Sequence, residues 1–252
     1  MPRSFDEDIL IQRKYYTETA AEYDAAHAGE GDDDPVNLRM VCGILRMIEA
    51  RTVLDIGAGT GRAIRHLTEQ LAGLTVRGVE PVAARIAQAA KKGIPAGLIV
   101  QGVGEALPFG NASFDVVCAF AMLHHVTNPD AVVREMLRVA RRGVVIIDGN
   151  RFGQGSWPMR VFKLGLYKAG LWGIIDYLKT GGKGYNLTEG DGLFYSYSVY
   201  DSFNRIAEWA GQMMVIPNEA CKARSWLHPL LTSSGVLLCA LKDTVWWQSE
   251  SK

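Results

Sequence analysis

Three groups of residues in this chain have the types and spacing to do chemistry. The first is Asp55-Ile56-Gly57-Ala58-Gly59-Thr60-Gly61, an acid followed by three alternate glycines. Glycines at alternate positions let backbone N–H groups come close to a ligand, and a helix starting behind them favours a carboxylate or phosphate. The second is Glu80, an acid at the end of an apolar run, placed to accept hydrogen bonds from both hydroxyls of a ribose. The third is His124-His125, whose imidazoles have a near-neutral reference pKa and can take a proton from an attacking hydroxyl or amine. Each has a plainer alternative: a tight turn between strand and helix, a solvated charge, and a histidine that caps the following turn.

The elements needed to position these groups are legible around them. Val53, Leu54 and Ile56 suit a strand buried on both faces, and residues 63–67 read as the helix that follows. Residues 74–80 form the second strand and 82–92 the next helix, ended by Gly93 and Pro95; 98–101 and 116–120 are the third and fourth strands. Asn128-Pro129-Asp130 starts a helix that runs to Ala140, and 143–147 is the fifth strand. In such an open α/β sheet, ligands bind beyond the carboxyl ends of the strands, where all three groups fall. Residues 213–216 and 236–241 are the sixth and last strands. With no crossover helix between them they must pair antiparallel.

The glycine spacing separates two kinds of adenosine site. In the dinucleotide pattern G-x-G-x-x-G the third glycine would stand at position 62, but here it is Gly61 and Arg62 follows. The pattern D-x-G-x-G-x-G, together with Glu105-Ala106-Leu107-Pro108-Phe109, resembles the class I S-adenosylmethionine-dependent methyltransferases of the small-molecule type, over roughly residues 15–147. The resemblance implies a Rossmann-like three-layer sandwich: a seven-stranded, mostly parallel sheet with an antiparallel last strand. It also implies S-adenosyl-L-methionine as cofactor and S-adenosyl-L-homocysteine as product. The implied cofactor residues are Asp55, Gly57, Ala58, Gly59, Gly61, Glu80, Pro81, Gly104, Glu105, Ala106, Phe120 and Ala121, with Tyr15 or Tyr23 of a leading helix closing over them. Many relatives carry Asp where this chain has Val103, which leaves the adenine edge to backbone groups of residues 104–106.

By the same resemblance His125, ahead of His124, is the candidate base in an in-line methyl transfer that depends mainly on positioning. Asn150 and Arg151 beyond the fifth strand, with Tyr195 and Tyr197, are candidate acceptor-binding residues. A small organic acceptor methylated on oxygen is the first reading. Alternatives are a lipid-like or prenylated acceptor, a cofactor-binding protein without catalysis, and a nicotinamide oxidoreductase.

Bulk properties bound these readings. The chain has 252 residues, 48% of them hydrophobic, enough for one α/β domain with an elaboration. Lys plus Arg and Asp plus Glu are both 27, so there is no basic excess for nucleic acid. The four cysteines are scattered, without a C-x-x-C pair, and predict reduced thiols in a cytoplasmic protein and no metal site. The start has no apolar leader, and no apolar run approaches the roughly 18 residues of a membrane span. The predicted divisions are a helical cap (1–50), the cofactor core (51–151), an inserted helical lid (152–198) and the closing helix and hairpin (199–252). The aromatic insert, punctuated by Lys163, Lys168 and Lys179, suits a lid over the acceptor. It also suits a homodimer contact or a basic amphipathic helix resting on a membrane.

Overall fold

A computed structural model describes residues 15–17, 19, 35–188, 192–219 and 225–243. Tyr23, the acidic run 32–34, Cys221 and Arg224 lie outside the described residues. The strands are β1 (Thr52–Ile56), β2 (Thr75–Glu80), β3 (Ile99–Gln101), β4 (Phe114–Phe120), β5 (Ala140–Gly149), β6 (Asn186–Thr188), β7 (Gly192–Phe194), β8 (Gln212–Pro217) and β9 (Gly235–Leu241). The helices are α1 (Pro35–Met47), α2 (Arg62–Gln70), α3 (Ala83–Lys91), α4 (Pro129–Val139), α5 (Trp157–Lys168), α6 (Trp172–Lys179) and α7 (Phe203–Trp209).

Seven strands form one sheet in the order β3-β2-β1-β4-β5-β9-β8. The first five neighbours pair in parallel, while β9 runs antiparallel to both β5 and β8. This is the expected closing hairpin, and the order reverses between β1 and β4. At such a switch point the connecting helices leave to opposite faces and a crevice opens at the strand ends.

Side-chain alternation divides the core in two. Val53, Val116, Cys118 and Val145 face one cluster with Leu45 of α1 and Ile64 and Leu67 of α2. Their neighbours Leu54, Val117 and Ile146 face the other, with Val132 and Met136 of α4 and Ile206 of α7. Helix, sheet and helix make the three layers. Cys42, Cys118 and Cys239 are buried free thiols within them.

Some boundaries differ from the sequence reading. β5 begins at Ala140 and runs to Gly149, so Arg141, Arg142 and Asp148 are strand residues. The cause is pairing: β9 supports β5 from Gly143 to Gly149, beyond the apolar stretch that marks the strand in the sequence. The insert is not wholly helical. After α5 and α6, β6 and β7 form a two-stranded antiparallel hairpin pairing Asn186 with Phe194.

Candidate functional site

The β1–α2 turn forms the floor of a cavity at the carboxyl edge of the sheet. Gly57, Gly59 and Gly61 all have positive φ, and Gly57 and Ala58 donate their N–H groups to the Val79 carbonyl at 2.8 and 3.1 Å. The turn is thereby tied to the end of β2. Gly61 sits at φ 82 just before α2, where a Cβ would lie 2.7 Å from Ile94 Cγ1. Beneath the turn, a Cβ on Gly78 would come within 2.6 Å of Ala58 Cβ. Gly61 is required for space as well as conformation, and Gly78, in the strand, for space alone.

Glu80 ends β2 with its side chain in the cavity wall and 2% of its surface exposed. Its Oε2 accepts the Gly59 N–H and its Oε1 the Val82 N–H, both at 2.9 Å. One carboxylate therefore fixes the cradle turn and the start of α3, while each oxygen keeps capacity for a second donor. Burial raises its pKa, opposed by the Arg85 guanidinium and the two backbone donors. Arg85, from the first turn of α3, also lines the cavity and stacks over the Tyr16 ring with its guanidinium carbon 4.3 Å from the centroid.

A further part of the cavity wall is built on the residues after β4. Ala121 has φ 48 and donates its N–H to Ile147 O at 2.8 Å, turning the chain out of the sheet. A 3₁₀ turn, Leu123–His125, follows. His125 lines the cavity and its Nδ1 lies 2.9 Å from the Leu193 carbonyl of β7. A carbonyl only accepts, so Nδ1 carries the hydrogen and Nε2 is the basic atom. Burial lowers the His125 pKa to about 3, helped by neighbouring His124, so the ring is neutral at physiological pH.

His124 plays a different part. Its Nδ1 is 2.8 Å from Oδ1 of Asp148, a fully buried β5 residue that also accepts the Leu123 N–H at 3.1 Å and its neighbour Gly149 N–H at 2.7 Å. Burial works to raise the Asp148 pKa, but the His124 partnership and the Gly149 N–H outweigh it and hold the carboxylate below its usual value. Asp148 thus pins the 3₁₀ turn to the sheet through two successive residues.

Of the residues singled out in the sequence, Asp55, Gly57, Ala58, Gly59, Glu80, Pro81, Gly104, Glu105, Phe120, Ala121, His125 and Tyr195 all line this cavity. Others do not. Tyr15 packs edge-on against Tyr16, and it is Tyr16, one position on and about 100° round the helix, that reaches the cavity. Ala106 turns its N–H to Val103 O at 3.3 Å, closing a small bridge and leaving residues 102–105 on the wall. Gly61 shapes the turn from behind. His124 stands behind His125, with the ring centroids 4.0 Å apart.

Asn150, Arg151 and Tyr197, expected from the sequence to bind the acceptor, do not line this cavity and are bonded within the framework. Asn150 is fully buried, donating to the carbonyls of Leu230 and Ser233 and accepting from Phe152 N–H. Arg151 pairs with Asp201, bonds the Ser196 carbonyl and lies 4.9 Å from the Trp172 ring. The Tyr197 hydroxyl bonds Ser202 at 2.9 Å. Polar residues beyond a strand are candidates for ligand contact, but here both the insert, at Phe152 and Ser196, and later residues, at Asp201, Leu230 and Ser233, take up the hydrogen bonds of Asn150 and Arg151. Helices α5 and α6 give no side chain to the cavity; among the described residues the insert reaches it at Leu193 and Tyr195.

Besides Tyr16, the lining residues that sequence reasoning missed include Arg85, Met122, Thr127 and Leu193. Leu193 lies far along the chain within a short hairpin that carries no periodic signal. Arg85 was hidden in an ordinary amphipathic helix.

Comparison with known proteins agrees with this geometry. Residues 54–147 match the family described as "Methyltransferase domain". An uncharacterized methyltransferase of Mycolicibacterium gilvum is 40% identical over 93 residues, covering 36% of each chain. One of Mycobacterium leprae is 27% identical over 178 residues, covering 70% of this chain and 65% of that one. The chain thus spans about a third to two thirds of the length of these relatives. In fold it is similar to magnesium protoporphyrin IX methyltransferase from Synechocystis, solved with bound S-adenosylhomocysteine, with a TM-score of 0.55 at 16% identity over 92% of this chain and 98% of that one.

Proposed function

We propose, from the match of residues 54–147 to the methyltransferase domain family, that this chain is a class I S-adenosylmethionine-dependent methyltransferase and transfers a methyl group to a hydroxyl of a small organic acceptor. The observation that carries the reading is the pairing of Glu80 with the glycine turn, in the wall of the same cavity that His125 and Tyr195 line.

The residues fit the cofactor. The floor at Gly57 and Gly59 has no side chain, and an added Cβ would meet Met122 at 3.0 Å and Arg85 at 3.2 Å. Glu80 would hold the ribose, residues 57–60 and the start of α2 the amino-acid end, and residues 102–105 the adenine. When bound, S-adenosylmethionine supplies a methyl group on a sulfonium sulfur, electrophilic enough for direct attack by a nucleophile.

What the chain adds is placement. Neutral His125 presents Nε2 as a hydrogen-bond acceptor that orients the acceptor hydroxyl. Its low basicity makes that role, more than full proton removal, its main contribution. Asp148 and His124 hold the turn that carries it. The apolar parts of the wall, Phe120, Met122, Val126 and Leu193, exclude water around the reacting groups.

Calorimetry with S-adenosylhomocysteine and with NADH, followed by a small-hydroxyl acceptor panel assayed for S-adenosylhomocysteine release, tests the proposal. Tight S-adenosylhomocysteine binding, no NADH binding and acceptor-dependent release are expected. Binding without release from any acceptor would instead favour a cofactor-binding protein without catalysis.

A further inference from the structure

Helices α5 and α6 contain no buried residue, in a chain whose sheet-packing helices each bury a stripe. They are nevertheless firmly oriented. Arg160 donates to the carbonyls of Gly155 and Leu231 at 2.7 and 2.9 Å, Tyr167 packs on Phe152 at 5.1 Å, and Trp172 lies beneath Arg151. One side of the pair faces the body of the protein. The other displays apolar residues at helical spacing: Phe162 is 58% exposed, Ile174 61% and Leu178 68%, with Trp157 and Tyr177 also exposed.

Charge decides what suits this face. Between Trp157 and Lys183 there are five cations, Arg160, Lys163, Lys168, Lys179 and Lys183, and one acid, Asp176. The whole chain is neutral, so the rest of the molecule carries the compensating negative excess. Lys168, Lys179 and Lys183 are exposed, whereas Asp176 is half-buried. A two-fold contact with a second copy would set these cations against one another. An anionic lipid surface instead satisfies both features, taking the apolar and aromatic side chains into the headgroup boundary and the lysines onto the phosphates. No described helix is long and apolar enough to cross a membrane, so the contact is peripheral.

We propose that the outer face of the α5–α6 pair docks this protein on anionic lipid bilayers. The inference is independent of the methyl-transfer reading, because neither helix lines the cavity.

Co-sedimentation of the full chain with vesicles tests it, using phosphatidylcholine alone and phosphatidylcholine mixed in equal parts with phosphatidylglycerol. The protein should bind the mixed vesicles, bind phosphatidylcholine much more weakly, and be released by salt. A Lys168→Ala/Lys179→Ala/Lys183→Ala variant should bind roughly 100-fold more weakly. Ile174→Ser/Leu178→Ser should lose binding while keeping the far-UV spectrum and S-adenosylhomocysteine affinity of the unaltered chain. No binding to mixed vesicles, or binding that neither variant changes, would overturn the proposal. So would a dimer in solution that Ile174→Ser/Leu178→Ser makes monomeric while vesicles take up neither form.

Discussion

His125 donates its Nδ1–H to the carbonyl of Leu193 at 2.9 Å, across 68 residues of sequence. The bond joins the turn after β4 to a hairpin in the insert, and it fixes both the tautomer of the ring and the wall of the cavity beside it. The His125 pKa is depressed from 6.5 to about 3, so its contribution to stability is present above pH 6.5 and is lost as pH falls towards 3. The slope from this group approaches about 1.4 kcal/mol per pH unit. Urea midpoints measured from pH 7 to pH 4 should fall less steeply for His125→Gln than for the unaltered protein. A pH–rate profile should show no inflection near 6.5 from this ring.

Glu80 is expected to act on cofactor affinity first. In Glu80→Gln the side-chain shape is kept while the charge on the hydrogen bonds is lost. Hydrogen bonds to charged groups contribute about 1.5–3 kcal/mol, so S-adenosylhomocysteine should bind roughly 10- to 100-fold more weakly by calorimetry. An unchanged affinity would remove Glu80 from the ribose site.

Asp148→Asn should act through position. Asp148 does not line the cavity, yet it holds both Leu123 and His124. We expect kcat to fall about tenfold or more while S-adenosylhomocysteine affinity stays within a factor of about two. Stability should drop by about 1.5–3 kcal/mol at pH 7. Since the folded pKa of Asp148 lies below 3.8, the contribution of its charged form is present above 3.8 and lost as pH falls through that lower value. The stability gap between the variant and the unaltered protein should therefore narrow in acid.

Gly61→Ala should cost about 1–3 kcal/mol, because φ 82 strains any side chain and Ile94 stands 2.7 Å from the new Cβ. The thermal midpoint should fall by several degrees. Gly73, also at positive φ but with open space around it, should lose only the conformational part, so Gly73→Ala serves as the comparison.

Arg151→Lys separates a framework role from an acceptor-binding one. Lysine cannot reproduce the paired contact with Asp201 or the stacking on Trp172. We expect a loss of about 2–4 kcal/mol in unfolding free energy, with acceptor KM unchanged once activity is assayed below the transition. A raised KM at constant stability would restore the role assigned to Arg151 from the sequence.

The sheet and the glycine-turn part of the cavity were legible in the sequence alone. Val53, Leu54 and Ile56, the alternate glycines and Glu80 are local signals: buried strands read as apolar runs, left-handed turns need glycine, and the acid follows its strand directly. The glycine spacing disfavoured a dinucleotide cradle, and Glu80, the Glu105-Ala106-Leu107-Pro108-Phe109 segment and the closing hairpin made the positive case for a methyl donor. Only the tertiary structure decided the rest. Asn150 and Arg151 look like ligand groups in the chain, but residues that follow the insert supply their partners, Asp201 and the carbonyls of Leu230 and Ser233. The two histidines are adjacent and of the same type, and only the family resemblance put His125 ahead. Their different roles come from Asp148 and from Leu193, which approach them from β5 and β7, and no local pattern near residue 124 encodes which of the two will face the cavity.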